Sequence, residues 1–68
     1  MKLSARNVLN GKVVEIQKGA VNAIVRIDIG GSVITSSITN AAVEELGLAV
    51  GDSAAAIIKA SDVMIGKE

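Results

Sequence analysis

Alternation of apolar and polar residues dominates the middle of the chain and predicts β-strands. From Val21 to Ile29 every odd position is apolar and the even positions are mostly polar, a period of two that is typical of a half-buried strand. Gly30-Gly31 can adopt the positive φ angles of a tight turn, and the alternation resumes from Val33 to Thr39. The pattern therefore predicts a β-hairpin.

The flanking segments predict the remaining elements. Gly11 to Lys18 is typical of a first strand, and a short helix follows the hairpin, with Asn40 as its N-cap and Gly47 as a left-handed stop. Ala54 to Ala60 predicts a fourth strand, and the apolar residues of Val63 to Ile65 predict a short fifth one. This order of elements predicts a mainly β fold, an OB-like five-stranded small barrel with one short helix.

The length of the chain predicts a single domain over residues 1–68 that cannot stabilise itself alone. Half of the 68 residues are apolar, but none is aromatic, and a core this small rarely contributes more than ~3–5 kcal/mol. Small proteins usually compensate with disulfides, a structural metal or association. Because the chain has no Cys and no His, association is the route that is left, and we expect an obligate oligomer.

The same composition excludes several classes of function. Without His or Cys there is no Ser-His or Cys-His nucleophile pair and no thiol redox chemistry, so we expect no catalysis. Seven basic residues balance seven acidic ones and no aromatic side chain can stack on a base, which disfavours nucleic-acid binding. No apolar run is long enough to span a membrane and no signal peptide is evident. We therefore expect a cytoplasmic location.

Hydrogen-bond donors and positive charge cluster at three places. The first cluster is Ser4-Ala5-Arg6-Asn7, before the first strand, and the second is Lys59-Ala60-Ser61, at the end of the fourth. The third is the segment from Thr35 to Asn40, in which four of the six residues carry a hydroxyl group. Such donor-rich clusters are typical of an oxyanion receptor. Each cluster also has an ordinary interpretation, because surface lysines are commonly only solvated and Arg6 can form a surface ion pair of little energetic worth. The sequence alone leaves these alternatives open.

At these residues the chain resembles the molbindins, the free-standing Mop (TOBE-type) domains that bind molybdate. The resemblance covers essentially all 68 residues, and its most specific parts are the opening Ser4–Asn7 segment and Lys59–Ser61. It is carried by Ser4–Asn7, Gly11–Val14, Lys18–Ala23, Val43–Leu48 and Ile58–Met64.

The resemblance implies a Mop fold that assembles as a homohexamer, a trimer of dimers, and binds molybdate or tungstate between subunits for storage and homeostasis of molybdenum. By position, it implies that the oxyanion is held by Ser4, Arg6, Lys59, Ser61, the backbone of Ala60 and, from a neighbouring subunit, Thr39. Ala42 stands where relatives often have Ser, so one hydroxyl donor is missing. The turn Ala20-Val21-Asn22 is the candidate for a second class of site.

The chemistry of molybdate suits donors of this kind. Molybdate at neutral pH is an unprotonated tetrahedral dianion, so it needs donors on every side, and bonds to charged donors are about twice as strong as neutral ones. Phosphate is partly protonated and would leave its O–H without an acceptor, whereas sulfate can be rejected only by the size of the cavity. The alternative function is a small OB-like interaction or assembly module without a ligand. A molybdate-binding protein should rise in melting temperature when oxyanion is added, whereas such a module should not.

Overall fold

The computed structural model describes residues 1–68 and forms one antiparallel sheet with a short helix. The strands follow one another in the sheet in the order β3-β2-β1-β4. No helix is long and apolar enough to cross a bilayer. The elements are β1 (Asn7–Lys18), β2 (Asn22–Asp28), β3 (Val33–Thr39), α1 (Asn40–Leu46) and β4 (Ser53–Ile58), followed by a single 3₁₀ turn over Ala60–Asp62.

The predicted hairpin of β2 and β3 is confirmed. The apolar positions Ala23, Val25 and Ile27 of β2 are buried, as the alternation requires. Gly30 and Gly31 adopt φ angles of 98° and 102°, and the Asp28 carboxylate accepts hydrogen bonds from both of their backbone N–H groups, at 2.8 and 3.3 Å. Glycine therefore allows the backbone conformation of the turn, and the Asp28 carboxylate stabilises it.

β1 is the strand on which the rest of the sheet is built. Its second half pairs with β2 from Lys12 onward, and its first half pairs with β4. The register shifts between Val13 and Glu15, a β-bulge that bends the strand. Val13 also exchanges two backbone hydrogen bonds with Gly51 and Asp52, at 2.8 and 2.9 Å. The bend lets one long strand serve two partners and curls the sheet.

β1 begins at Asn7, four residues before the start that the sequence predicts, and a close approach of two strands explains the glycine in its interior. A Cβ atom at Gly11 would overlap the backbone carbonyl oxygen of Asp28 and lie 2.8 Å from Cγ2 of Ile27. The backbones of β1 and β2 thus approach so closely that only glycine fits there. Glycine at this position marks a close approach within the strand and not the strand's end.

The predicted mainly β fold with one short helix is confirmed, but the predicted fifth strand is wrong, because the sheet has four strands. After Ile58 the chain turns: the N–H of Asp62 donates to the carbonyl of Lys59 at 2.8 Å, and that of Val63 to the carbonyl of Ala60 at 3.2 Å. The β1–β4 ladder ends at Ile58, before this turn, and the residues after the turn pair with no strand. Met64 and Ile65 are 92% and 91% exposed. β4 accordingly ends two residues earlier than predicted.

The N-cap of helix α1 lies one residue before its predicted position. Thr39, and not Asn40, is the N-cap: its backbone is extended and its Oγ1 accepts a hydrogen bond from the N–H of Ala42 at 3.0 Å. The predicted stop at Gly47 is confirmed, with φ 62° and its N–H directed at the last turn. Val43 is the one residue of the helix that is fully buried, and it packs against the sheet.

Little of the apolar surface is buried within one chain. The core has only five fully buried members, which are Val13, Ala23, Val25, Ile27 and Val43. The outer edges of β3 and β4 have no neighbouring strand, and between these two strands lies an open, mainly apolar cavity of about 690 Å³. Unpaired edges and exposed apolar patches of this kind are typical of surfaces that another chain covers.

Replacing Gly11 by Ala is expected to destabilise the fold by about 1–3 kcal/mol, because the added methyl group must push β1 away from the backbone of β2. The free energy of unfolding in urea measures this effect. Gly66→Ala is the matched control, since a Cβ atom there meets nothing within 4 Å. Equal stability of the two variants would contradict the close approach of β1 and β2.

Candidate functional site

The β1–β4 ladder brings the first and last predicted clusters together. Its final pair joins Asn7 and Ile58, and the side chain Nδ2 of Asn7 donates to the carbonyl of Ile58 at 3.1 Å across 51 positions of sequence. The next residues outward from this pair are Arg6 on one strand and Lys59 on the other. The segments Ser4–Arg6 and Lys59–Ser61 therefore leave the sheet side by side, at one end of the molecule.

The two basic side chains of this cluster are not neutralised by the protein. The chain contains two ion pairs, Lys18–Glu44 and Arg26–Glu15, and neither involves Arg6 or Lys59. Both residues are exposed, and the surface ion pair that the sequence allows for Arg6 is absent. Two adjacent cations without a carboxylate partner make a local positive field although the chain as a whole is neutral.

The backbone of Lys59–Ser61 contributes free donors to the same cluster. The 3₁₀ turn occupies the carbonyls of Lys59 and Ala60, which accept from Asp62 and Val63. The N–H groups of Lys59, Ala60 and Ser61 make no hydrogen bond within the chain. Three successive free N–H groups beside two cations and the hydroxyls of Ser4 and Ser61 form a surface suited to an anion without protons. We call these five residues, with Ala60 included through its backbone, the basic cluster: Ser4, Arg6, Lys59, Ala60 and Ser61.

Thr39 lies apart from the basic cluster. Thr39 pairs with Asn22 in the β2–β3 ladder. Asn22 is the first residue of β2, which follows the carboxyl-terminal end of β1, whereas Arg6 lies just before the amino-terminal end of β1. The twelve residues of β1 correspond to ~35 Å of strand path. Within one chain, the structure thus does not bring Thr39 to the other predicted site residues, and only a second copy can do so.

The hydroxyl of Thr39 is still available as a donor. Its oxygen accepts the N–H of Ala42, which leaves the hydroxyl proton free for another acceptor. Ala42 itself offers nothing further, since its side chain is a methyl group and its N–H is already engaged with Thr39. The missing hydroxyl at position 42 is therefore not replaced by the backbone of the same residue.

The second-site candidate, Ala20-Val21-Asn22, lies at the exposed turn between β1 and β2. The N–H of Gly19 closes this turn by donating to the carbonyl of Asn22 at 2.8 Å. Because Asn22 pairs with Thr39, the turn and Thr39 are neighbours at the same end of the sheet. The structure thus divides the predicted residues into two groups, the basic cluster at one end and Thr39 with this turn at the other.

Asn7 is a residue of the site whose contribution the sequence does not reveal. Its side-chain bond to Ile58 fixes the end of the ladder from which both halves of the basic cluster emerge. An asparagine before a strand has many common uses, so no local pattern distinguishes this one. Only the pairing of β1 with β4 reveals it.

Comparison with known proteins gives a consistent result. The sequence profile of the TOBE domain family matches residues 3–65. A probable molybdenum-pterin-binding protein of Haemophilus influenzae is 62% identical over 69 residues, which is 100% of both chains. A molybdate-binding protein of Sporomusa ovata has a TM-score of 0.94 and 39% identity, over 98% of this chain and 100% of its own. The cytoplasmic molybdate-binding protein ModG, with molybdate bound, has a TM-score of 0.89 and 54% identity, over 94% of this chain but 46% of its own.

Replacing Thr39 by Ala is expected to lower the stability of the protein by about 1 kcal/mol, because the N–H of Ala42 loses its cap. For a domain of this size such a loss corresponds to a fall of about 4–8 °C in Tm. Thr39→Ser should retain most of the stability, and Thr35→Ala, on an exposed position of the same strand, is the control. A Tm unchanged in Thr39→Ala would show that the cap contributes nothing.

Proposed function

Because this chain belongs to the TOBE domain family, we propose that it binds molybdate at the basic cluster. The observation that carries the proposal is that unpaired cations, hydroxyls and three free backbone N–H groups lie together in that cluster, while the carbonyls of Lys59 and Ala60 are occupied. The relatives from Haemophilus influenzae and Sporomusa ovata, which are named for binding molybdenum-pterin and molybdate, support the choice of ligand.

The charge state of the ligand explains why such a surface prefers molybdate to phosphate. Molybdate and tungstate are dianions with four bare oxygens at neutral pH, and all of their oxygens can accept from the cluster. Phosphate at neutral pH carries at least one proton on every ion, and burying that O–H without an acceptor costs about 1–3 kcal/mol. Sulfate is also unprotonated, but its S–O bonds are shorter than the metal–oxygen bonds of molybdate. It can be rejected only by a cavity whose donors lie too far apart to reach its oxygens. We therefore expect tungstate to bind as molybdate does.

We propose further that the site is completed between copies of the chain, in a homohexamer built as a trimer of dimers. Thr39 and the basic cluster lie at opposite ends of β1, so a hydroxyl from Thr39 can reach the ligand only from another copy. The unpaired edges of β3 and β4 and the apolar cavity between them support association. A ligand that binds only the assembled form then stabilises the assembly by mass action.

The function that follows is storage and buffering of molybdate in the cytoplasm, without catalysis. The chain has no His or Cys that could act as acid, base or nucleophile near neutral pH. Binding and release of an unmodified dianion need no such group. The description of ModG as a cytoplasmic protein supports the location.

Replacing Lys59 by Ala is expected to weaken molybdate binding at least tenfold while the protein remains folded. The reason is that an exposed side chain with no ion pair contributes little to stability, whereas a bond from a charged donor contributes about 1.5–3 kcal/mol to a bound anion. Lys67→Ala, which removes the same charge from the exposed carboxyl-terminal segment, is the matched control. Isothermal titration calorimetry measures both, and unchanged affinity in Lys59→Ala would refute the assignment.

A titration series with four anions tests the selectivity. We expect molybdate and tungstate to bind and to raise Tm, sulfate to bind at least tenfold more weakly, and phosphate to bind more weakly still. Native mass spectrometry of the same samples should give the hexamer. An assembly that forms normally but responds to none of the four anions would instead support the assembly module without a ligand.

A further inference from the structure

Three successive backbone carbonyls at the end of β4 are held by the protein itself. The carbonyl of Ile58 accepts a hydrogen bond from the side chain Nδ2 of Asn7 at 3.1 Å. The two carbonyls that follow, those of Lys59 and Ala60, accept at 2.8 and 3.2 Å from the last N–H of the 3₁₀ turn and from the N–H after it. The first carbonyl is thus engaged by a side chain from the other end of the chain, and the next two are engaged locally.

Each of these bonds also sets the direction of one N–H group. A trans peptide unit is planar, so its C=O and N–H bonds point in opposite directions. The bond that Ile58 accepts therefore orients the N–H of Lys59, and the two bonds of the 3₁₀ turn orient the N–H groups of Ala60 and Ser61. None of these three N–H groups makes a hydrogen bond within the chain. Each points away from a carbonyl that the protein holds in place.

The peptide unit between Ile58 and Lys59 lies where the sheet is easiest to open. Asn7 is the first residue of β1 and Ile58 is the last residue of β4, so this pair closes the ladder. No pair lies beyond it, and the ends of such elements open locally at little cost in free energy. The half-buried side chain of Asn7 adds a hydrogen bond at the position where opening would begin, and so steadies the orientation of this peptide unit.

We propose that Asn7 is a positioning residue of the oxyanion site in the basic cluster. The inference rests on the proposed function, because it concerns how that site is held. Asn7 keeps the carbonyl of Ile58, whose oxygen would repel an anion, engaged on one side of the peptide unit, and it thereby directs the N–H of Lys59 to the other side. Asn7 acts through this peptide unit and is not itself a ligating group.

Replacing Asn7 by Ala is expected to weaken molybdate binding about fivefold, the loss that corresponds to one neutral hydrogen bond. Asn10→Ala is the matched control, because Asn10 is an exposed residue of the same strand, lies opposite Ala55 in the same ladder, and makes no side-chain hydrogen bond. Isothermal titration calorimetry measures the affinity of both variants, and native mass spectrometry verifies that their assembly is unchanged.

Backbone amide NMR signals resolve the effect residue by residue. In the unmodified chain, added molybdate should shift the signals of Lys59, Ala60 and Ser61. In Asn7→Ala the shift at Lys59 should be largely lost, while Ala60 and Ser61 keep theirs because the 3₁₀ turn still holds their peptide units. A merely structural role of Asn7 would reduce all three shifts alike.

The outcomes separate the two proposals. No response at any residue from 59 to 61 in the unmodified chain would refute the proposed function itself. A response at Ala60 and Ser61 with none at Lys59 in the unmodified chain would refute this inference alone, and this measurement decides even if Asn7→Ala fails to fold. Equal affinity of Asn7→Ala and Asn10→Ala, or an equal loss of all three shifts in Asn7→Ala, would also refute the inference and leave the proposed function intact.

Discussion

The pairing of β1 with β4 is the interaction on which the rest of the molecule depends. One long strand pairs with β2 along its second half and with β4 along its first, and the bulge between Val13 and Glu15 supplies the bend that makes both possible. Without this ladder the first and last segments of the chain would have no reason to meet. The same ladder buries part of the small core and positions the basic cluster, so stability and binding have a common origin.

Free backbone N–H groups lie beside occupied carbonyls at two places in the chain. At the end of β4 the carbonyls of Lys59 and Ala60 are used by a 3₁₀ turn, and at the β1–β2 turn those of Gly19 and Val21 are used by Asn40. In each case the neighbouring N–H groups stay free. A chain with no net charge can in this way present several N–H donors together at its surface.

The parts of the fold that depend on local pattern can be predicted from the sequence, and the parts that depend on distant partners cannot. Alternation and the diglycine predict the β2–β3 hairpin, and Gly47 marks the end of the helix. The predicted fifth strand is wrong because the 3₁₀ turn over Ala60–Asp62 precedes the apolar run that ends at Ile65, and the residues after this turn pair with no strand. The start of β1 is predicted too late because Gly11 signals a close approach to Asp28 that no local pattern reveals.

The residues of the candidate site also divide into those that the sequence can suggest and those whose roles depend on distant contacts. The residue types at Ser4, Arg6, Lys59 and Ser61 are compatible with an oxyanion site, but it is the resemblance to the molbindins that assigns these residues to one. The roles of Asn7 and Asn40 depend instead on hydrogen bonds to Ile58 and Gly19, which lie 51 and 21 positions away. The sequence does not distinguish Asn40 from Thr39 as the helix cap, because both residue types favour that position. The turn that engages the Asn40 side chain decides between them.

The separation in sequence between Asn7 and Ile58 also sets the order of events during synthesis. The hairpin of β2 and β3 can form while the chain is still emerging from the ribosome, since its residues are close in sequence. The basic cluster needs a contact across 51 positions, and such contacts form late because the intervening loop must close first. A nascent chain therefore cannot assemble the basic cluster until residues 59–61 have been synthesised, whereas the β2–β3 hairpin can form earlier.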